Sequence, residues 1–149
     1  MPGRSSARVV ILASQFHPAL SRALIRGAQT ALRRAGVPER GIRLVRVPGS
    51  FELPMAAAAI AQRAPRPHAI IALGALIRGE TPQYALLAQA VIHGLMHVAL
   101  HARLPVTCGV IVAQDLAQAQ ARAGGSMGNR GAEAADAALD LLPLFQPRA

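Results

Sequence analysis

Lysine is missing from this chain of 149 residues, whose sixteen basic side chains are all arginine. That excludes Schiff-base catalysis, pyridoxal phosphate attachment and the phosphate-binding loop that ends in lysine. Tryptophan is missing too, and Phe16, Phe51, Tyr84 and Phe145 are the only aromatics, too few for a base-stacking platform. The single cysteine, Cys108, cannot close an internal disulfide and suits a reducing compartment. Acidic residues number 7 against 16 basic ones, a formal net charge of +9, which suits nucleic acid, an anionic membrane surface or small phosphorylated molecules. The arginines are dispersed, from Arg4 through Arg46, Arg78 and Arg122 to Arg148. With no basic run, a small anion is the expected partner and nucleic acid is not. Val9–Ala13, the apolar run after Arg4 and Arg8, is too short for a signal-peptide core. No run reaches the about eighteen uninterrupted apolar residues of a membrane span, so no membrane partner is expected and the cytoplasm is the expected compartment.

What is present is apolar: 52% of the chain against 15% charged, which excludes disorder of the whole. The length fits a single domain over residues 1–149, with a flexible start at 1–7 and a tail at 143–149. Val9–Ala13 reads as a strand. After Pro18, Leu20, Ala23, Leu24, Ala28, Ala31, Leu32 and Ala35 recur at helical spacing, with Arg22, Arg26, Gln29 and Arg33 on the other face, up to a stop at Gly36 and Pro38. The βα pattern repeats as strand Ile42–Val47 and a helix from about Pro54 to Gln62, then as strand Ala69–Leu76 and a helix from Pro82 to Ala102. A fourth unit has strand Val106–Ala113, a helical piece Leu116–Ala123, a break at Gly124-Gly125, and a last helix from about Asn129 to Leu142.

Four strands alternating with helices, each strand apolar along its length, predict an α/β fold with a four-stranded parallel sheet covered on both faces. Ligands of such sheets bind beyond the carboxyl ends of the strands, which directs attention to Ser14–His17, Pro48–Glu52, Leu76–Gln83 and Ala113–Asp115. Ser14-Gln15-Phe16-His17 is not a glycine-rich dinucleotide turn, so no nicotinamide or flavin dinucleotide is expected there.

At Gly79-Glu80-Thr81-Pro82, Thr81 suits an N-cap and Pro82 the first helical position. The helix they open would present free N–H groups to an anion, or would simply be well capped. Arg122, before the glycine break, would either clamp a phosphate or complement its own helix end. Phe16 and Phe51 would flank a ring, or anchor their loops, while Glu52 or the nearby backbone would accept hydrogen bonds from a ligand. His93, His97 and His101 form one helical stripe, but residues eight apart lie about 12 Å apart along the axis, so no shared metal is expected. Cys108, mid-strand, reads as a buried small hydrophobe.

Taken in order, Ser14-Gln15-Phe16 with Gly27-Ala28, Val47-Pro48-Gly49-Ser50-Phe51-Glu52-Leu53-Pro54, Leu73-Gly74-Ala75-Leu76-Ile77-Arg78-Gly79-Glu80-Thr81, Arg122-Ala123-Gly124 and Gly128-Asn129-Arg130-Gly131 resemble the lumazine synthase family across nearly the whole chain. The resemblance implies a flavodoxin-like three-layer sandwich that assembles as a homo-oligomer, a pentamer or larger shells, with active sites shared between neighbours. It implies condensation of 5-amino-6-(D-ribitylamino)uracil with 3,4-dihydroxy-2-butanone 4-phosphate in riboflavin biosynthesis, without metal or cofactor. By the same resemblance Phe16 stacks on the pyrimidine, Ser50 and Glu52 contact the ribityl side, and Ala75, Leu76 and Ile77 offer backbone to the ring. Gly79, Glu80 and Thr81 hold the phosphate with Arg122 of a neighbour, and the third helix lines a fivefold channel.

Four positions depart from the family's pattern. Gln83 stands where the family usually has a proton-transferring His, His17 where it has Asn, Cys108 where it has an aromatic, and Arg130 where Lys is frequent. An amide exchanges no proton near neutral pH, and loss of a positioned acid–base group costs about 10²–10⁴-fold. Two outcomes follow: a working or slowed synthase in which His17 replaces the imidazole, or a non-catalytic paralogue that forms shells or binds flavin or lumazine.

Overall fold

Alternate residues of β1 (Val9–Ser14) belong to two different cores, and this sets the architecture. The computed structural model describes residues 3–145. Val9, Ile11 and Ala13 pack on one side of the sheet and Val10 and Leu12 on the other, as the two-residue period of a strand requires. β3 (Ala69–Ile77) divides likewise, with Ile71, Leu73 and Ala75 on the first side and Ile70 and Ala72 on the second.

The strand order is β2-β1-β3-β4, all parallel, with β2 at Ile42–Val47 and β4 at Val106–Ala113. One face carries α1 (Pro18–Arg34), α4 (Leu116–Arg122) and α5 (Arg130–Leu141), and the other carries α2 (Leu53–Ala61) and α3 (Gln83–Ala102). This is the three-layer α/β sandwich expected. α3 is long and apolar enough to cross a membrane, yet Ala88, Val91, Leu95 and Val98 are buried, the last three against the sheet.

The expectation of strands apolar throughout holds for β1 and β3 and fails at the edges. In β2, Arg43 and Arg46 are exposed, and β4 alternates, with Thr107, Gly109, Ile111 and Ala113 buried while Cys108 and Val112 reach the surface. Edge strands have one neighbour and less helical cover, so only the β1–β3 centre is sealed on both faces. The Gly-rich break also holds structure: β5 (Ala123–Gly125) pairs antiparallel with β6 (Gly128–Asn129).

Asn129 locks this hairpin to the fold. Its Oδ1 accepts from the N–H groups of Gly131 and Ala132 at 2.8 and 3.1 Å, capping α5, while its Nδ2 donates to the Ala23 carbonyl of α1 at 3.1 Å. A methyl group at Gly27 would overlap this amide, so the close approach of α1 demands glycine there. At the amino end, Arg4–Ser6 form a 3-10 turn and Ala7 is buried. Leu142–Phe145 form another 3-10 turn; Met1, Pro2 and the last four residues of the expected tail lie outside the described residues.

Candidate functional site

The strand order reverses between β1 and β3, the place where an open parallel sheet receives ligands. Loops diverge there to opposite sides and leave a crevice, here a cavity of about 200 Å³. Phe16 and His17 line it from the loop after β1, and Ala75, Leu76 and Ile77 from the end of β3. Gly79 and Thr81 follow in the next loop, and Gln83 with Tyr84 and Leu87 comes from α3.

Beneath this crevice the chain is tightly drawn. A Cβ at Gly74 would lie 2.7 Å from Ser50 Oγ and 2.8 Å from Ser14 Oγ, so glycine lets the strand pass under both hydroxyls. Both serines are buried and neither hydroxyl has a hydrogen-bond partner among the described residues. Glu52 is engaged locally: its Oε2 accepts from the Gly49 N–H at 3.1 Å and so holds the turn that carries Ser50 and Phe51.

Phe16 is 66% exposed and Phe51 53%, so neither ring is a loop anchor sunk in the core. The Phe16 ring meets His17 edge-on at 4.9 Å between centroids. His17 has a left-handed backbone, φ 61°, uncommon for a side chain with a Cβ. It also borders a second cleft of about 480 Å³ shared with Leu116, Gln120, Gly124 and Gly125, so the imidazole stands between two hollows.

The expected cap on α3 is displaced by one residue. Pro82 is the N-cap and Gln83 the first helical residue; Thr81 Oγ1 only just accepts from the Gln83 N–H, at 3.5 Å. With ψ 5°, Pro82 completes a turn before the helix instead of entering it. The chain still brings Gly79, Thr81 and the helix start to one wall of the cavity.

Several expected site residues do not line this cavity. Arg122 ends α4, where its Nη1 donates to the Gln118 carbonyl at 3.2 Å. Arg130 pairs with Glu133 at 2.5 Å. Cys108, expected to be buried, is exposed on β4; the residues around its thiol desolvate it enough to push its pKa up, against a hydrogen bond from the Val110 backbone. Ser50, Phe51, Glu52 and Glu80 are also absent from the lining. Tyr84 and Leu87 escaped the sequence reading, although their three-residue spacing at the start of a helix entering the ligand edge is the signal that places both on one face. The histidine stripe is on the surface, with the His97 and His101 rings parallel at 6.1 Å.

The cavity therefore offers a flat ring, backbone from a strand end, a helix start suited to an anion, one imidazole and one amide. At about 200 Å³ it is small beside the roughly 300–1,000 Å³ of sites that enclose an organic ligand.

Residues 6–146 match the family model described as 6,7-dimethyl-8-ribityllumazine synthase. The chain is similar to the 6,7-dimethyl-8-ribityllumazine synthase of Xanthomonas campestris pv. campestris (strain B100), 45% identical over 142 residues, 95% of this chain and 92% of that protein. The protein of the same name from Halorhodospira halophila is 43% identical over 140 residues, 94% and 89% of the two chains. That from Aquifex aeolicus is 45% identical over 139 residues, 93% and 90%.

Proposed function

The chain belongs to the 6,7-dimethyl-8-ribityllumazine synthase family, transferases of riboflavin biosynthesis, and from that premise we propose that it joins 5-amino-6-(D-ribitylamino)uracil to 3,4-dihydroxy-2-butanone 4-phosphate, releasing phosphate and water. The carrying observation is the crevice between β1 and β3, where Phe16 and Ala75–Ile77 stand beside Gly79, Thr81 and the start of α3.

In this reading Phe16 stacks on the pyrimidine and the backbone of Ala75, Leu76 and Ile77 hydrogen-bonds its edge. Ser50 and Glu52 hold the ribityl side and Phe51 flanks a ring. Gly79, Glu80 and Thr81 grip the phosphate at the amino end of α3, where free N–H groups and the helix dipole favour an anion. Holding amine and ketone together supplies much of the rate by proximity. Proton transfer falls to His17, the imidazole in the lining. Gln83 orients the substrate as a neutral hydrogen-bonding group.

A second copy completes the site. Arg122, Cys108 and Arg130 stand outside the cavity of their own chain and would meet the substrates of a neighbour. Exposed Ile92, Met96 and Leu100 on α3 and Val112 on β4 offer apolar surface for that contact. A homo-oligomer built on pentamers, in the cytoplasm, follows from this reading.

Gln83 also favours a second reading, a shell-forming or flavin- or lumazine-binding protein without turnover. Incubation with both substrates, followed by lumazine fluorescence, decides between them. Product formation at saturating substrate supports the synthase. Tight riboflavin or lumazine binding with no product supports the alternative.

A further inference from the structure

Three arginines line one cavity at the end of the sheet opposite the crevice. Arg8 precedes β1, Arg66 precedes β3 and Arg103 precedes β4, so the parallel order of the strands brings them to one amino-terminal edge. With His68 they line a cavity of about 260 Å³ whose apolar wall includes Leu142 and Phe145. Among the described residues no carboxylate lines it, and their ion pairs, Arg33–Glu39 and Arg130–Glu133, involve none of these arginines.

Two of the three guanidinium groups, those of Arg8 and Arg66, are held by hydrogen bonds. Arg8 Nε and Nη2 both donate to the Arg66 carbonyl, at 3.3 and 2.9 Å, and Arg66 Nη2 donates to the Ala102 carbonyl. Capping the carboxyl end of α3 accounts for part of this charge. That helix end carries only about half an elementary charge, however, against three cations. Each guanidinium has five N–H donors, so these bonds leave most of them unspent.

His68 lines the same cavity as these arginines. Its Nδ1 accepts from the Arg8 backbone N–H at 2.8 Å, and burial, then the Arg8 charge, holds the imidazole below its ordinary value. The neutral ring assigned by that hydrogen bond keeps its Nε2–H as a donor. Arg103 is the C-cap of α3, its left-handed backbone (φ 52°) ending the helix with its N–H on the Ala99 carbonyl, and this fixes where its side chain leaves the chain.

We propose that this cavity is a second anion site, remote from the active site, which takes a phosphate-class dianion, either free or as a monoester whose organic part lies against Leu142 and Phe145. Guanidinium forks match the spacing of phosphate oxygens and bind them bidentately.

Calorimetric titration of the assembled full chain with inorganic phosphate and with phenyl phosphate, in dilute phosphate-free buffer, tests the assignment. Wild-type protein binds two phosphates per chain. Arg103→Gln and, separately, Arg8→Gln weaken one of them by about tenfold or more and leave lumazine formation unchanged; Arg122→Ala weakens the other. Tighter binding of phenyl phosphate at the remote site assigns it to a monoester, and equal affinity to the free anion. Melting curves show which variants fold, and Arg103→Gln, which alters only an exposed side chain, carries the test if Arg8→Gln unfolds. A phosphate isotherm unchanged in the folded variants, or a single wild-type site abolished by Arg122→Ala, overturns the proposal. A single site abolished by Arg103→Gln would instead overturn the active-site reading.

Discussion

His17 and Gln83 line the same cavity from different layers of the sandwich, the first at the carboxyl end of β1 and the second at the start of α3. An imidazole able to exchange protons therefore stands in one crevice with an amide that cannot. The condensation moves protons when the amine adds, when phosphate leaves and when water is lost, so the two side chains have unequal work.

His17→Ala is expected to lower lumazine formation by about 10²–10⁴-fold, the usual cost of removing an acid–base group. Gln83→His is expected to raise it and to restore part of the loss in the double variant. Steady-state rates at saturating substrate check this; equal rates in wild type and both single variants would remove His17 from the mechanism.

Acid should loosen the amino-terminal edge of the sheet. Burial and the Arg8 charge lower the His68 pKa in the folded chain, so the unfolded chain binds its proton first as pH falls. The stability this neutral imidazole contributes is complete above its ordinary value of about 6.5 and is lost as pH drops from there through the folded value. Urea unfolding at a series of pH values between neutral and mildly acid should show the decline. His68→Asn, which keeps an acceptor but cannot titrate, should flatten it, and a decline of equal size in that variant would locate the cause elsewhere.

Gly27 and Asn129 should behave as one unit. Asn129→Ala removes the cap on α5 and its bond to α1, at a cost of about 1–2 kcal/mol. Gly27→Ala forces a methyl group into the Asn129 amide, costing about 1–3 kcal/mol. In the double variant the overlap is gone, so the combined loss should be smaller than the sum. Additive losses in denaturant titrations would contradict the packing described.

Much of this architecture was legible locally. The β-branched run after Pro105 marked β4 at Val106–Ala113 without error, because a short apolar stretch bounded by proline has few other solutions. The edge that carries the crevice was legible too, since in a parallel sheet every strand's carboxyl end lies on one side. The order of strands was not. Cys108 sits in an apolar run, and its exposure depends on β4 being an edge, a tertiary property. For the same reason Phe16, His17 and Gln83 were each picked out in sequence, whereas their sharing one cavity with Tyr84 and Leu87 required the fold. The β5–β6 hairpin read as a break because two or three residues carry no periodicity. Gly27 and Asn129 belonged to the family resemblance with no role apparent, and the structure shows them packing α1 against the start of α5.

Co-assembly of two damaged chains tests the shared site most directly. Thr81→Val removes the hydroxyl on the α3 side, and Arg122→Ala removes the guanidinium on the α4 side. Unfolded together and reassembled, the two variants should form some sites that take an intact Thr81 from one chain and an intact Arg122 from its neighbour. Lumazine formation should then rise above the mean of the two separately assembled variants. A mixture whose rate equals that mean, with mixed oligomers verified by mass, would show that each chain keeps its own Arg122 and that no site is completed between copies.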